Sequence, residues 1–151
     1  MATYKYRKTN VGSLKGAIAH MKENLSTQGG KVNDALGEIN AEVWRGSASD
    51  ALKNKLTAVV AKCDTVNSRL SSFDEALTKI EEYQAKCSEL DAILQKIQKK
   101  EDEKGNFIGE IIDEISLNGI LGIDGLYDDR DNKIKEIDNL ESQIDSMLGG
   151  V

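Results

Sequence analysis

Two long apolar stripes with helical spacing constrain this chain more than any other feature. Along each stripe the apolar residues recur at alternating intervals of three and four, which is the pattern of one face of an α-helix. The chain has no proline, the residue that removes a helical hydrogen bond and clashes with the preceding turn. The sequence therefore predicts an all-α protein with two long amphipathic helices.

The first stripe runs from about Val11 to Val43. It stays in phase across Gly29 and Gly30, which favours one helix even though each interior glycine costs about 1 kcal/mol relative to alanine. Its members are Val11, Leu14, Ile18, Met21, Leu25, Gln28, Val32, Ala35 and Ile39.

The second stripe continues for about seven heptads, which at about 1.5 Å per residue predicts a helix roughly 75 Å long. Ser47 or Ser49 is the predicted N-cap, and Asp50 in the first turn suits the positive helix end. Gly105 and Asn106 are the predicted stop signals. The stripe consists of Leu52, Leu56, Val59, Cys63, Val66, Leu70, Phe73, Leu77, Ile80, Gln84, Cys87, Leu90 or Asp91, Leu94 and Ile97.

Residues 101–126 have a different composition from the two stripes and are rich in glycine and isoleucine. We expect a connector with a short amphipathic helix around Phe107 to Leu117, followed by an apolar loop, and a β-hairpin is the less favoured alternative. A third amphipathic helix is predicted from Leu126 or Tyr127 to Gly149. Its apolar face consists of Ile134, Ile137, Leu140, Ile144 and Met147 or Leu148.

Together these segments predict one structural domain in three parts. Residues 1–100 are predicted to form an antiparallel helical hairpin with a long second helix. Residues 101–126 are the predicted connector between this hairpin and a C-terminal helix, residues 127–151, which folds back. That helix would cover the part of the second helix that the first is too short to reach.

Charge and hydropathy exclude several classes of partner. The net charge is −6 and the isoelectric point is about 4.9, so neither nucleic acid nor an anionic membrane surface is an expected partner. No apolar run approaches the roughly 20 residues that a bilayer crossing requires, and the N-terminus lacks the apolar segment of a cleavable signal. We therefore expect no membrane insertion and, if the protein is exported, export without a cleavable leader.

Groups that could perform catalysis or bind a metal are scarce. The only histidine, His20, has no nucleophile or metal-ligand pattern near it and is expected on a helix surface. Cys63 and Cys87, if on one helix, lie about 36 Å apart, too far for a disulfide. The acidic stretch DGLYDDRDNKIKE lacks the central glycine and the correctly placed glutamate of a calcium loop. We predict no enzyme activity, no cofactor and no metal site.

The stretch EVWRGSASDAL, residues 42–52, separates the two stripes and holds the only tryptophan. Trp44 and Gly46 form a W-x-G tripeptide between two amphipathic helices of a small acidic chain. Over about residues 4 to 97 this pattern resembles the WXG-motif family of type VII secretion proteins, whose members are helical hairpins with W-x-G at the turn. Gly46 can adopt backbone angles that end a helix, and Trp44 can brace the hairpin end while it offers an indole edge to a partner.

A second motif fits the same resemblance. Members of this family often carry a Y-x-x-x-D or Y-x-x-x-E export signal after the second helix, which Tyr127 and Asp131 match here. At a spacing of four the two side chains would share one helix face. The alternative is that Tyr127 only packs at a helix start. The chain departs from the family in two ways: it is half as long again as typical members, and a further predicted helix follows the Tyr127–Asp131 motif.

The resemblance implies a non-enzymatic substrate or targeting partner of type VII secretion, secreted with a cytoplasmic pool. Its expected partners are the secretion ATPase and another helical protein, which is a second copy, a cognate WXG-like protein or the helical N-terminal domain of a toxin. The alternative function is a cytosolic coiled-coil scaffold or a phage-type structural protein, in which the stripes serve only self-association.

Overall fold

The structure is a computed structural model that describes residues 4–39, 45–107, 118–119 and 121–150. Three long helices follow one another in it: α1 (Val11–Glu38), α2 (Ser47–Phe107) and α3 (Ile123–Gly149). No strand occurs in this described part of the chain, so the predicted all-α class is confirmed there. Most of the short helix predicted in the connector lies outside the described residues.

The single-helix prediction for the first stripe is confirmed. The Asn10 side chain caps α1 by accepting a hydrogen bond from the Ser13 amide at 3.1 Å, and the helix continues unbroken through Gly29 and Gly30. It ends at Glu38, earlier than the end predicted from the stripe, and residues 40–44 lie outside the described part.

The start of α2 differs in detail from the prediction. The Asp50 amide donates to the Gly46 carbonyl at 3.1 Å, so Gly46 occupies the N-cap position in place of Ser47 or Ser49. Ser47 is the first helical residue. Ser49 is buried, the one buried polar side chain among the described residues.

The predicted end of α2 was wrong by a short distance, because the helix passes through Gly105 and Asn106 to Phe107. An interior glycine costs about 1 kcal/mol, too little to end a helix that packing already holds. With 61 residues α2 is about 90 Å long. Helix α3 begins at Ile123, earlier than predicted, directly after Gly122 with its φ of +68°. The connector between α2 and α3 is accordingly shorter at both ends than the predicted 101–126.

The chain divides into two compact units. Unit 1 contains Met1–Thr9 and Lys79–Ser146, and unit 2 contains Asn10–Thr78 and Met147–Val151. Helix α2 therefore contributes its C-terminal part to unit 1 and its N-terminal part to unit 2.

In unit 1, α3 lies against the C-terminal part of α2. The contacts between the two helices occur in opposite order along the chain: Tyr83 with Glu141, Glu89 with Lys133, and Glu101 with Tyr127. Two neighbouring helices whose contacts follow this order run antiparallel. The apolar residues buried in this unit are Ile80, Tyr83, Cys87, Leu90, Ile97, Ile123, Ile137, Leu140 and Ile144.

The N-terminal segment, residues 4–9, also packs in unit 1. The rings of Tyr4 and Tyr6 meet the Tyr83 ring edge-on, with centroids 6.4 and 5.8 Å away. The Gln84 side-chain amide donates to the carbonyls of Tyr6 and Thr9 at 3.0 and 2.8 Å. This segment had no structural role in the sequence interpretation, because it has no periodic pattern of its own.

Helix α3 and the N-terminal segment both pack against α2, and together they change which face of α2 is buried. Tyr83, which is not on the predicted stripe, has 0% of its surface exposed, whereas Leu94, which is on the stripe, is 44% exposed. The 3.6-residue period locates the centre of a buried face, and the elements packed on it decide how far the face extends on either side.

Candidate partner-binding surface

Unit 2 leaves much of both apolar stripes open to solvent. Six large apolar side chains of the described residues are exposed, and five of them belong to this unit. These five, which we call the exposed seam, are Leu14 (46% exposed), Met21 (47%), Val59 (41%), Val66 (46%) and Phe73 (39%).

The exposed seam has strict heptad spacing. On α2, Val59, Val66 and Phe73 are each seven residues apart, as Leu14 and Met21 are on α1. A row at this spacing stays on one side of a helix that winds around a partner helix. The row thus has the spacing of a coiled-coil seam, and none of its five side chains is buried by the part of the chain that the structure describes.

A different edge of the α2 stripe faces α1. A cavity of about 310 Å³ is lined by Val60, Cys63 and Asn67 of α2 and by residues of α1 that include Gly29 and Gly30. At about 100° per residue, the direction from the α2 axis to these lining residues lies roughly a quarter turn from the direction to the seam. One edge of the stripe is thus used within unit 2, and the other faces solvent.

Three cations follow the exposed seam on α2. Lys55, Lys62 and Arg69 are also seven residues apart, and each lies four residues before one of the seam residues of α2. All three are exposed, and none forms an ion pair with any residue that the structure describes. We call them the basic row, and in heptad terms they occupy the position that flanks an apolar seam.

Unit 2 as a whole is electrically balanced, since its sequence contains eight basic and eight acidic residues. The net charge of −6 therefore resides entirely in unit 1. The sequence interpretation considered net charge only for the whole chain, so it did not detect the basic row, although the i, i+7 recurrence is visible in the sequence.

Of the two residues of the W-x-G motif, only Gly46 is described. Its φ of +115° belongs to the region that favours glycine, and it lies at the break before α2. Trp44 lies outside the described residues, so the predictions about its exposure and packing have no structural test.

Tyr127 and Asp131 lie four residues apart on α3, within unit 1. The Tyr127 hydroxyl donates to Glu101 on α2 at 3.2 Å, and the Arg130 guanidinium lies over the Tyr127 ring, 4.7 Å from its centroid. Arg130 also pairs with Asp131 at 2.6 Å. Arg130 thus connects the two motif residues, and the half-buried Tyr127 has a packing role, while Asp131 is exposed. The two motifs belong to different units.

Other candidate residues are placed as predicted. His20 is a surface residue with a 74% exposed side chain. Cys63 and Cys87 are both free thiols on the continuous α2. Burial raises the pKa of the Cys87 thiol above its ordinary value.

A network of four charges joins α2 and α3 in unit 1. Lys133 reaches Glu89 and Glu136 at 2.7 Å each, and Lys86 reaches Glu136 at 3.2 Å. The Lys133 hydrogen bond lowers the pKa of each of the two carboxyls below the ordinary value of 4.5. Lys5 and Tyr6 similarly lower the pKa of Asp145.

Acid should therefore weaken unit 1. Because the folded-state pKa values of Glu89 and Glu136 are depressed, their contribution to stability is present above the ordinary value of 4.5 and disappears as the pH falls through the folded-state values. At about pH 7 we expect a Glu89→Gln, Glu136→Gln double variant to unfold at a lower urea concentration than wild type. Near pH 2 we expect the variant and wild type to unfold at the same urea concentration. A gap between the two proteins that persists at the acid end would contradict this assignment. Glu82→Gln, which removes only a pair within α2, is the control.

In comparisons with known proteins, no protein family, curated protein or solved structure matches this chain. None of the helices in the described part of the chain combines the length and apolarity that a bilayer crossing needs.

Proposed function

We propose that this protein is a non-enzymatic substrate or targeting partner of a type VII secretion system, which pairs with another helical protein through the exposed seam. The observation that carries the proposal is the seam itself, five large apolar side chains at heptad spacing that remain 39–47% exposed. Surfaces of this kind mark sites of protein association. The W-x-G motif between the two helices that carry the seam, and Y-x-x-x-D on α3, support secretion as its context.

In this proposal α1 and the first part of α2 form the antiparallel hairpin that the family resemblance implies. On both helices the seam lies about a quarter turn, in the same rotational sense, from the residues that line the cavity. With antiparallel axes, that offset puts Leu14 and Met21 on the same side of the hairpin as Val59, Val66 and Phe73. The five side chains then form one surface wide enough for a partner helix to lie between two helices.

Fractionation of cultures tests the proposal. In the organism that encodes the protein, we expect it in the growth medium when the secretion ATPase is active and only in the cells when the ATPase gene is deleted. A protein that remains in the cells in both strains, with no effect of its deletion on any exported partner, would show that the proposal is wrong and favour the cytosolic scaffold.

Replacement of Trp44 distinguishes a recognition residue from a core residue. We expect Trp44→Ala to abolish export while the urea midpoint changes little, because the indole is proposed to present an edge to a partner. A residue that serves only as a core anchor should instead cost about 3–5 kcal/mol on truncation to alanine. Export and unfolding of the purified variant are measured side by side, with Trp44→Phe as the control that retains an aromatic ring.

A further inference from the structure

We infer that the partner of the exposed seam is a different protein, which presents an amphipathic helix with an apolar heptad row and acidic side chains beside it. This inference rests on the proposed function, and it specifies the chemistry of the partner. The basic row carries it, because Lys55, Lys62 and Arg69 flank the seam and have no ion-pair partner among the described residues.

The apolar part of the surface fits a helix of about four turns. Val59 and Phe73 are 14 residues apart, which spans about 21 Å along α2. Three heptad positions over that length are enough to fix the register of one partner helix. The exposed faces of Val59, Val66 and Phe73 would then be buried together, which stabilises the complex through the hydrophobic effect.

The basic row defines the charge of that helix. In a coiled coil, side chains at the flanking positions of one helix meet the flanking positions of the other, and pairs of opposite charge determine partner choice. Lys55, Lys62 and Arg69 have the same seven-residue spacing as the seam, so they require three acidic residues at the same spacing on the partner. Three lysines or arginines there would be repelled.

A second copy of this chain does not supply such a helix. If two α2 helices paired antiparallel through the seam, each basic row would face the other. If they paired parallel, the basic row would face Val60, Asn67 and Asp74, of which only Asp74 is acidic. On α1, the exposed Leu14 and Met21 are followed by Lys15 and Lys22, so that row is flanked by cations as well. The remaining exposed large apolar residue among those described, Leu94, is isolated and forms no row. The complex is therefore a heteromer.

Synthetic peptides of about four heptads test the chemistry directly on the full-length protein. One peptide carries leucine at both apolar heptad positions and glutamate at both flanking positions, and the other differs only by lysine in place of glutamate. We expect fluorescence anisotropy to show at least about tenfold tighter binding of the glutamate peptide, with the difference shrinking as salt rises from about 0.05 to 0.5 M.

Charge reversal on the protein provides the matched variant. Lys55→Glu, Lys62→Glu, Arg69→Glu should invert the preference so that the lysine peptide binds more tightly. Lys96→Glu, Lys99→Glu, Lys135→Glu changes the net charge by the same amount at three exposed lysines that form no ion pair with the described residues, and we expect it to keep the wild-type preference. Equal binding of both peptides to wild type, or the same inversion in the control, overturns the inference.

Two further outcomes separate this inference from the proposed function. A wild-type protein that sediments as a dimer and is converted to a monomer by Val66→Asp would show that the occupant is a second copy, which overturns the inference and leaves secretion intact. Normal ATPase-dependent export of the charge-reversed variant would also overturn the inference alone. Export of wild type that is independent of the ATPase would overturn the proposed function, whatever the peptides show.

Discussion

Replacement of Tyr83 by alanine is expected to lower the free energy of unfolding by about 3–5 kcal/mol, the range for truncation of a buried aromatic residue. Tyr83 is fully buried, its ring contacts the rings of Tyr4 and Tyr6, and its hydroxyl donates to Glu141 at 2.8 Å. Burial and the Glu141 carboxylate raise the pKa of this phenol, so it remains a donor at neutral pH. Truncation removes the residue on which the N-terminal segment and α3 both pack.

Urea unfolding followed by circular dichroism measures this loss. Tyr83→Phe keeps the ring and removes one hydrogen bond to a charged acceptor, so we expect a smaller loss of about 1.5–3 kcal/mol. Tyr127→Phe is the matched control, because its hydroxyl also donates to a glutamate but the side chain is only half-buried. A Tyr83→Ala protein whose free energy of unfolding lies within about 1 kcal/mol of the wild-type value would show that the tyrosine cluster does not stabilise unit 1.

Loss of the exposed seam should abolish export without unfolding the protein. We expect a Val59→Ser, Val66→Ser, Phe73→Ser variant to remain in the cells, with at least a tenfold drop in the medium fraction, roughly the effect of losing 1.4 kcal/mol of partner binding. Each side chain is already 39–46% exposed, so the fold should survive. We expect each substitution to cost about 1 kcal/mol, the centre of the range for point variants.

Leu94→Ser is the control for that experiment. Leu94 has the same degree of exposure, 44%, but belongs to unit 1 and is not part of the seam. We expect its export to match wild type. Equal export of the triple variant and wild type would show that the seam has no part in secretion. An equal export defect in the triple variant and Leu94→Ser would show that export depends on exposed apolar side chains in general and not on the seam.

The helices were predictable because their cause is local. A 3.6-residue period, the absence of proline and a cap such as Asn10 act over a few residues, so the sequence alone indicated that α1 continues across Gly29 and Gly30. The extent of α2 beyond Gly105 was not predictable, since a glycine that ends one helix is tolerated in another when neighbouring turns are packed.

The candidate surface was predictable only in part. The stripes identified Val59, Val66 and Phe73 as apolar face residues, but the pattern does not distinguish a face that is covered from one that is open. That distinction depends on which element lies beside it, as does the burial of Tyr83 by a six-residue segment located almost 80 positions earlier in the chain.

The sequence by itself determined that this protein is helical, where its amphipathic faces lie and how its charges are spaced, because each of these follows from the identity of residues within a few turns of one another. Only the tertiary structure decided that unit 1 buries its stripe under α3 and the N-terminal segment, whereas unit 2 leaves the seam exposed. The reason is that burial depends on contacts between residues distant in sequence. The spacing of apolar residues indicates which side chains can be buried, but not which of them are buried.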